Sequence, residues 1–287
     1  MHPGIGFHFY ADDTQLFVQL CPKDASSMLQ KLNSCLVDVQ KWMSSSKLKL
    51  NPEKTEFIVF GSEIQRSKLS HVFPVDILGN LIYPAQKVRN LGVWFDANLS
   101  LSDHVSDICK SSFLHLRDMR RIRQYLSVDC AVLVANALVS SRLDYCNSLF
   151  RSLSSTNSRR LQCIQNTLAR IVTNQRRFTR ASPILRELHW LPVKYRCIFK
   201  TATLVYKFLS SGTPDYFSQT LLPYSCKYNT RRGSIQKKFL EVPQFSPSVH
   251  KSKKQFNNSL AFDAPAIWMP FRMTFDLLLL LAPSGNV

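Results

Sequence analysis

Hydrophobic and polar residues alternate at the start of the chain in the way that β-strands do. Between residues 7 and 20, aromatic and aliphatic side chains flank an Asp-Asp pair on both sides. This pattern predicts a β-hairpin with two carboxylates at its tip. From Asp24, a candidate N-cap, hydrophobic residues recur every three or four positions up to Met43. That spacing predicts an amphipathic helix that packs on the sheet.

Short runs of β-branched and aromatic residues predict further strands before residue 98. One covers Glu56–Phe60, and a strand pair is centred on Gly79-Asn80, with its second arm at Val88–Phe95. Beyond residue 99 the spacing changes to that of helices, and the last of these is opened by Pro192 at a first-turn position. The predicted helices cover residues 102–124, 128–150, 157–173 and 193–210.

These patterns predict an α+β protein with two folded parts and a tail. Residues 1–98 are expected to form a partial sheet domain of hairpin, helix and strands. Residues 99–210 are expected to form a mainly α-helical region. From residue 211 to residue 287, Ser, Pro, Asn, Lys and Arg predominate, so this C-terminal extension is expected to be partly disordered.

The positive charge of the chain is concentrated in its helical part. The whole chain has 37 Lys and Arg against 19 Asp and Glu, a formal net charge of +18. Up to residue 98 there are ten basic and nine acidic residues, whereas 27 and ten follow from residue 99 onward. Such a balance favours polyanionic partners, nucleic acid before anionic membrane, and argues against a pocket for cationic substrates.

The eight cysteines are scattered through hydrophobic segments, with no Cys-x-x-Cys or Cys/His cluster that would hold zinc. We expect them to be reduced core thiols of an intracellular protein, located in the nucleus or the cytoplasm. The first 20 residues lack the features of a secretory signal. The hydrophobic run Leu277–Leu281 is too short to span a membrane, so no membrane association is predicted.

Asp12 and Asp13 are the first candidates for chemistry. Two adjacent carboxylates at a hairpin tip repel each other unless a cation lies between them, and a hard divalent ion such as Mg²⁺ is the natural occupant. Two such ions about 3.5–4 Å apart can hold the attacking and leaving oxygens of a phosphoryl transfer. The alternative is a solvated Asp-Asp turn, and an isolated pair favours that alternative because Asp is common in turns.

Further sequence blocks follow this pair in a distinctive order. Tyr10-Ala11-Asp12-Asp13 precedes the helix that ends in Trp42-Met43, and the blocks after it are Leu48–Glu56, Leu91–Asp96, Ser141–Asn147, Arg160–Asn166 and Leu188–Val193. This ordered set resembles the late palm and the thumb of the reverse transcriptases of LINE-type (non-LTR) retrotransposons, of the jockey and chicken-repeat kind. The resemblance covers residues 7–270, nearly the whole chain.

The resemblance implies roles for several residues. Asp12 and Asp13 match the family's Y-x-D-D box, in which the first Asp is a metal ligand and the second lies beside the site. Lys54 matches a lysine near the phosphates of the incoming nucleotide, where an ammonium group could protonate the pyrophosphate leaving group. Its alternative is a solvated lysine at a strand entry. Leu91-Gly92-Val93 matches the primer grip, where glycine lets the backbone approach the primer, and the alternative is an ordinary strand glycine.

The family's activity would follow from the same resemblance. It implies an RNA-directed DNA polymerase with Mg²⁺ as cofactor and with an RNA template and a DNA primer as partners. The family's site needs another aspartate on a strand upstream of the Y-x-D-D box, whereas only nine residues precede Tyr10. We therefore expect a polymerase fragment that is inactive in isolation. The segment Met269–Val287 departs from the family, which suggests an aberrantly joined end.

Basic residues of the helical part form a second candidate site. Between Lys110 and Lys200 there are 17 Lys and Arg against four Asp and Glu, interleaved with Phe113, Tyr125 and Phe178. Guanidinium groups bind phosphate through paired hydrogen bonds and aromatic rings stack on bases, as expected for a thumb that tracks a template–primer duplex. The alternative is a solvated charged face. The predicted contacts are Arg117, Arg120, Arg121, Arg123, Arg159, Arg160, Arg176, Arg177 and Arg180.

Two functional alternatives to a polymerase fragment follow from the same residues. One is a remnant that binds RNA or DNA nonspecifically without catalysis, and the other is a pseudogene product with no cellular role. His189 and Trp190 are expected to serve packing, because no second histidine or carboxylate lies near them in the sequence.

Overall fold

The computed structural model describes residues 3–49, 51–69, 74–77, 79–223, 240–241, 260–261 and 263–268. Contacts divide the chain into two compact units, Met1–Ser100 and Leu101–Val287, close to the boundary predicted at residue 98. The named strands of the described ranges all lie in the first unit, and the second unit is helical. The chain is therefore a mixed α and β protein with small antiparallel strand pairs.

Within the described ranges, six short strands of the first unit form three two-stranded sheets. The antiparallel pairs are β1 (Ile5–Tyr10) with β2 (Asp13–Val18), β3 (Val75–Ile77) with β4 (Asn80–Ile82), and β5 (Lys87–Asn90) with β6 (Val93–Asp96). The hairpin predicted around Asp12-Asp13 is confirmed, with Tyr10 paired to Asp13 across the turn. The strand pair around Gly79-Asn80 is confirmed as well.

Two of the strand predictions are wrong. Val88–Phe95 is not one arm of a pair, because the chain reverses at Leu91-Gly92 and β5 pairs with β6 instead. Glu56–Phe60 is not a regular strand, and in the described residues its pairing is limited to a bridge between Ile58 and Ala85. The alternation that suggested a strand reflects burial, since Phe57 and Val59 pack into two small hydrophobic clusters.

Helix α1 (Ala25–Ser45) packs on the first hairpin, as predicted. Its buried residues Leu29 and Leu32 contact the face of the hairpin that carries Ile5, Leu16 and Val18. Asp24 occupies the N-cap position, but its side chain makes no capping hydrogen bond. A second, short helix, α2 (Glu63–Ser67), begins with a capping box formed by Ser62 and Gln65.

The second unit contains the predicted helices and, among its described residues, helical stretches at 181–187 and 263–268 that were not predicted. The helices with defined ends are α3 (Ser102–Ile122), α4 (Val128–Ala135), α5 (Ser141–Asp144), α6 (Ser155–Val172), α7 (Ala181–Glu187) and α8 (Val193–Ser211). A π-helical turn, Asn136–Ser140, joins α4 to α5. The helix predicted over 128–150 ends at Asp144 because Tyr145 is extended and Cys146 has a positive φ. Pro192 is the N-cap of α8 and not its first-turn residue.

Helix α6 supplies the centre of the second unit's hydrophobic core. Its residues Leu161, Ile164, Leu168 and Val172 recur at helical spacing, and each is fully buried. Removing such a side chain from water contributes about 1.5–3 kcal/mol, so one continuous helical face accounts for much of the unit's stability. Within the described residues, no helix is long and hydrophobic enough to cross a membrane.

Described parts of the C-terminal extension belong to the second unit's core. Leu240, Ala264 and Trp268 are buried against Val205 of α8. An ion pair adds to this contact, with Nε of Arg151 lying 3.7 Å from Oδ1 of Asp263. Burial raises the pKa of the Asp263 carboxyl, and the Arg151 charge opposes that shift. The run Leu277–Leu281 lies outside the described residues.

Candidate functional site

The Asp12-Asp13 pair lies at the tip of the first hairpin, as the sequence predicts. Ala11 adopts a left-handed conformation with φ of 53°, and Asp12 follows it in the turn. Asp13 is the first residue of β2 and pairs with Tyr10. Both carboxylates are exposed, and within the described residues neither has an ion-pair partner. The turn therefore presents two unneutralised acidic groups to the surroundings.

The donor set at this turn does not fit a two-ion magnesium site. In the part of the chain that the structure describes, no group of three or more His, Cys, Asp or Glu side chains could hold a metal. Mg²⁺ requires six oxygen ligands in near-ideal octahedral geometry, and two exposed carboxylates do not fix the separation of two ions. The predicted cofactor thus lacks a complete site in these residues.

The hairpin with Asp12 and Asp13 is joined to the predicted primer-grip segment by a side-chain hydrogen bond. Gln15 of β2 donates from Nε2 to Oδ1 of Asn90, at a distance of 3.0 Å. Gln15 lies two positions after Asp13, and Asn90 directly precedes Leu91. Two segments that are 75 positions apart in the sequence are therefore neighbours in the first unit.

Leu91-Gly92-Val93 forms the turn and the start of β6. Leu91 and Gly92 have φ values of 45° and 80°, a combination typical of the two-residue turns that close β-hairpins. Val93 is buried. The strand-glycine alternative is therefore wrong, because Gly92 is a turn residue with a φ of 80°, a conformation that favours glycine. The turn alone explains why glycine occurs at this position, and close approach of a primer strand is not needed to explain it.

Lys54 ends a 3₁₀ turn, Pro52–Lys54, that Asn51 organises. The carbonyl of Asn51 accepts hydrogen bonds from the Lys54 N–H and the Thr55 hydroxyl, and its side chain accepts one from the Glu53 N–H. Lys54 is exposed. Among the described residues, no ion pair brings its ammonium group to Asp12 or Asp13.

Seven of the nine predicted arginines are exposed on the second unit. Arg117 lies 3.6 Å from Asp118 in a surface ion pair, which is a weak constraint on an exposed side chain. Arg176 and Arg177 lie in the connection between α6 and α7, and Arg180 is the N-cap of α7. The exposed set is Arg117, Arg120, Arg121, Arg159, Arg176, Arg177 and Arg180. These guanidinium groups are accessible to phosphates.

The other two arginines bind within the protein. Arg123 donates from Nε to the carbonyl of Val172 at the end of α6, at 2.8 Å, and from a terminal nitrogen to the carbonyl of Leu126, at 2.7 Å. Arg160 donates to Oγ of Ser106 and Oδ1 of Asn157. Both side chains are half-buried, so the structure favours a packing role for them over phosphate contact.

The aromatic residues predicted to stack on bases are exposed as well. Phe178 is 90% exposed and Tyr125 is 80% exposed, and Phe113 is also largely accessible. The guanidinium carbon of Arg177 lies 5.8 Å from the centre of the Phe178 ring. Large exposed aromatic side chains beside cations are typical of surfaces that bind unpaired bases and phosphates together.

Two of the sequence blocks meet in the second unit. Gln165 of α6 is fully buried and donates from Nε2 to the carbonyl of Leu191, at 2.8 Å. Gln162, on the same helix, accepts a hydrogen bond from the N–H of Val193 at 2.9 Å and donates to Oε1 of Gln165. The block Arg160–Asn166 thus fixes the backbone of the block Leu188–Val193.

The third block, Ser141–Asn147, contacts α8 through an ion pair that the sequence analysis did not predict. Arg196 of α8 donates from Nε to Oδ1 of Asp144, at 2.8 Å, and a second bond joins its Nη2 to Oδ2. The pair borders a cleft of about 560 Å³. We call it the Asp144 cleft, and its lining includes Ser140, Asp144, Asn147, Trp190, Arg196 and Lys200. His189 also lines the cleft and is exposed, whereas Trp190 packs against the cluster of Ala169, Ile184 and Leu185 as predicted.

Of the seven cysteines that the structure describes, two are core thiols, as predicted, two are half-buried and three are exposed. Cys109 and Cys197 are buried, whereas Cys21, Cys130 and Cys163 are exposed. Burial, with a smaller contribution from the Asp144 charge, raises the pKa of the Cys197 thiol to about 11. Burial also raises the pKa of Cys109. Cys226 lies outside the described residues.

No protein-family model, curated protein or solved structure matches this chain. The resemblance to reverse transcriptases therefore stays a prediction, carried by the sequence blocks and by the contacts that join them.

Proposed function

We propose that this chain is the C-terminal half of an RNA-directed DNA polymerase of a non-LTR retrotransposon, with part of a palm in its first unit and a thumb in its second. The observation that carries the proposal is the hydrogen bond from Gln15 to Asn90. It makes neighbours of the segments that resemble the Y-x-D-D box and the primer grip, and a polymerase needs both beside the primer end. The parent reaction is Mg²⁺-dependent addition of dNTPs to a primer 3′-hydroxyl, in the nucleus or the cytoplasm.

The residues of this chain would contribute charge and position to that reaction. Asp12 and Asp13 would supply part of an oxygen ligand set for the ions that hold the reacting phosphates. The exposed arginines of the second unit would bind the phosphates of template and primer. Because the described residues lack a third acidic ligand beside Asp12 and Asp13, the isolated chain would not fix two ions and would not extend a primer.

The experiment that tests this function supplies the fingers and early palm in trans. A second polypeptide would carry the fingers and early palm of a non-LTR reverse transcriptase, including the upstream aspartate, and extension of a DNA primer on an RNA template would be measured. We expect extension only with both polypeptides, and its loss in Asp12→Ala. Asp24→Ala is the matched control, because Asp24 is exposed and makes no capping hydrogen bond.

The outcomes separate this function from the second candidate, a non-catalytic RNA- or DNA-binding remnant. The exposed Arg177–Phe178 pair favours that candidate, since it needs no metal. Nucleic-acid binding without restored extension would support the remnant and contradict the polymerase half. Extension by the isolated chain that disappears in Asp12→Ala would show that its carboxylate set is complete.

A further inference from the structure

Helices α3 and α6 lie side by side and run in the same direction. In their first turns, Nδ2 of Asn157 in α6 donates to Oγ of Ser102 in α3, at 3.0 Å. At the other end, Nε of Arg123, which directly follows α3, donates to the carbonyl of Val172, the last residue of α6, at 2.8 Å. The two C-terminal ends therefore lie together, although 49 positions separate Arg123 from Val172.

This shared end of the two helices is strongly basic. Residues 117–126 and 170–180, which we call the basic end, contain eight arginines and one acidic residue, Asp118. A helix C-terminus carries about half a negative charge, so both helix ends and Asp118 together neutralise only about two of the eight positive charges. Within the described residues, these arginines make one ion pair, between Arg117 and Asp118. The basic end therefore keeps an excess of positive charge that attracts polyanions.

Two aromatic side chains of the basic end, Tyr125 and Phe178, are almost fully exposed, and hydrogen bonds fix the backbone beside each. The carbonyl of the residue after Tyr125 accepts a bond from Arg123, at 2.7 Å. The carbonyl of the residue after Phe178 accepts one from Nε of Arg170, at 2.8 Å. Because Arg123 also binds the carbonyl of Val172, the turn that carries Tyr125 lies beside the end of α6. Both rings thus belong to one surface.

Exposed rings among guanidinium groups indicate which polyanion fits this surface. Within a duplex each base already lies between two neighbours, whereas an unpaired base has a free face that stacks on an aromatic ring. The guanidinium carbon of Arg177 lies 5.8 Å from the centre of the Phe178 ring, so a base on that ring has a phosphate-binding group close by. An anionic membrane would instead contact one continuous hydrophobic face of a helix, whereas Tyr125 and Phe178 lie on two separate turns.

We propose that the basic end binds a single strand of RNA or DNA, with unpaired bases stacked on Tyr125 and Phe178 and phosphates bound by the exposed arginines around them. The inference rests on the nucleic-acid binding proposed above and deepens it. The arginines bind the phosphates of a single strand or of a duplex, whereas the two rings add affinity for the unpaired strand alone. The site is therefore selective for unpaired nucleotides.

The test compares single-stranded and duplex ligands on the full chain. Fluorescence anisotropy would measure the affinity for a labelled 20-nucleotide oligothymidine and for a labelled 20-base-pair DNA duplex. We expect Tyr125→Ala and Phe178→Ala each to weaken single-strand binding about five- to tenfold, since each removes one stacking ring, and to leave duplex binding within twofold. Phe178→Trp should keep the single-strand affinity. Phe113→Ala is the matched control, since Phe113 is an exposed aromatic residue of α3 outside the basic end.

Three results would overturn the proposal. One is an unchanged single-strand affinity in both Tyr125→Ala and Phe178→Ala, and another is an equal loss of single-strand and duplex binding in these variants. The third is binding to vesicles of phosphatidylserine and phosphatidylcholine that is lost in Phe178→Ala while single-strand affinity is unchanged, which would assign the ring to a membrane surface. Ring-dependent single-strand binding without duplex binding would contradict the proposed thumb and leave this inference standing.

Discussion

The two units differ in how many hydrophobic side chains they bury, and most of the buried ones lie in the second unit. In the second unit, helices pack on each other, and residues such as Leu161 and Ile164 have no exposed surface. In the first unit, the aromatic side chains of Phe9, Tyr10 and Phe17 on the first hairpin are largely exposed. Two-stranded sheets are at best marginally stable without further strands or a covering helix, and α1 covers only one face of this hairpin.

The difference shows that packed helices bury their hydrophobic faces more readily than an isolated hairpin does. An amphipathic helix needs only one neighbouring face, and the second unit supplies several within a short stretch of sequence. A hairpin has two faces and two edges, and the described residues of the first unit cover few of them. We therefore expect the second unit to be the more stable one, and it also carries the excess of positive charge.

A pair of tryptophan substitutions gives the largest expected contrast between the units. Trp268→Ala should lower the free energy of unfolding of the second unit by about 3–5 kcal/mol, because Trp268 is 6% exposed and packs against Val205. Trp42→Ala, at a position 63% exposed in the first unit, should change stability by less than about 0.5 kcal/mol. Urea denaturation followed by circular dichroism measures both, and equal effects would contradict the contrast.

Thiol labelling gives the next largest effect. Because burial raises the pKa of Cys197 from 9.0 to about 11, its thiolate fraction at pH 8 should be about 100-fold below that of an ordinary thiol. Cys21 of the first unit is exposed and should react with iodoacetamide at the ordinary rate. Mass spectrometry of labelled peptides compares the two rates, and similar rates in the folded protein would show that Cys197 is accessible.

The same pKa shift fixes the sign of a pH effect on stability. The thiol of Cys197 ionises in the unfolded chain near pH 9 and in the folded unit only near pH 11. The stability that the folded unit gains from keeping this thiol protonated is therefore fully present below pH 9 and is lost as the pH rises toward about 11.

The smallest effect concerns the contact that supports the polymerase proposal. Gln15→Ala should lower the stability of the first unit by about 0.5–1.5 kcal/mol, the usual contribution of one hydrogen bond. A double-mutant cycle with Asn90→Ala should show coupling, whereas Gln19→Ala, at an exposed position of the same segment, should show none. Additive effects of Gln15→Ala and Asn90→Ala would mean that the hydrogen bond contributes nothing to the stability of the first unit.

Local patterns were sufficient to predict most elements but not the contacts between them. The alternation around Asp12-Asp13 and the helical spacing of α3 and α6 predict structure directly, since each depends on neighbouring residues. The pairing of β5 with β6 was missed because Leu91 is unusual at a positive φ, so the turn was not recognised. Helix α7 has only seven residues, too few for a periodic pattern.

In the candidate sites too, features that depend on neighbouring residues could be predicted, and contacts between distant residues could not. Exposure of Arg176, Arg177 and Phe178 could be inferred from their polar surroundings, whereas the internal bonds of Arg123 and Arg160 depend on which helices pack together. The Asp144–Arg196 pair spans 52 positions, and the sequence contains no periodicity that would join them. Long-range polar contacts of this kind follow from the fold and not from the local pattern.

The salt dependence of duplex binding tests most directly whether the exposed arginines of the second unit bind nucleic acid. The triple substitution Arg176→Ala, Arg177→Ala and Arg180→Ala would be compared with a control in the first unit, Lys31→Ala, Lys41→Ala and Lys47→Ala, all at exposed positions. The logarithm of the affinity for a 20-base-pair DNA would be plotted against the logarithm of the salt concentration. We expect the slope to become shallower by about 0.9 for each lost phosphate contact in the arginine variant and to stay unchanged in the lysine control. A slope that changes only in the control, or an affinity independent of salt, would contradict nucleic-acid binding by the second unit.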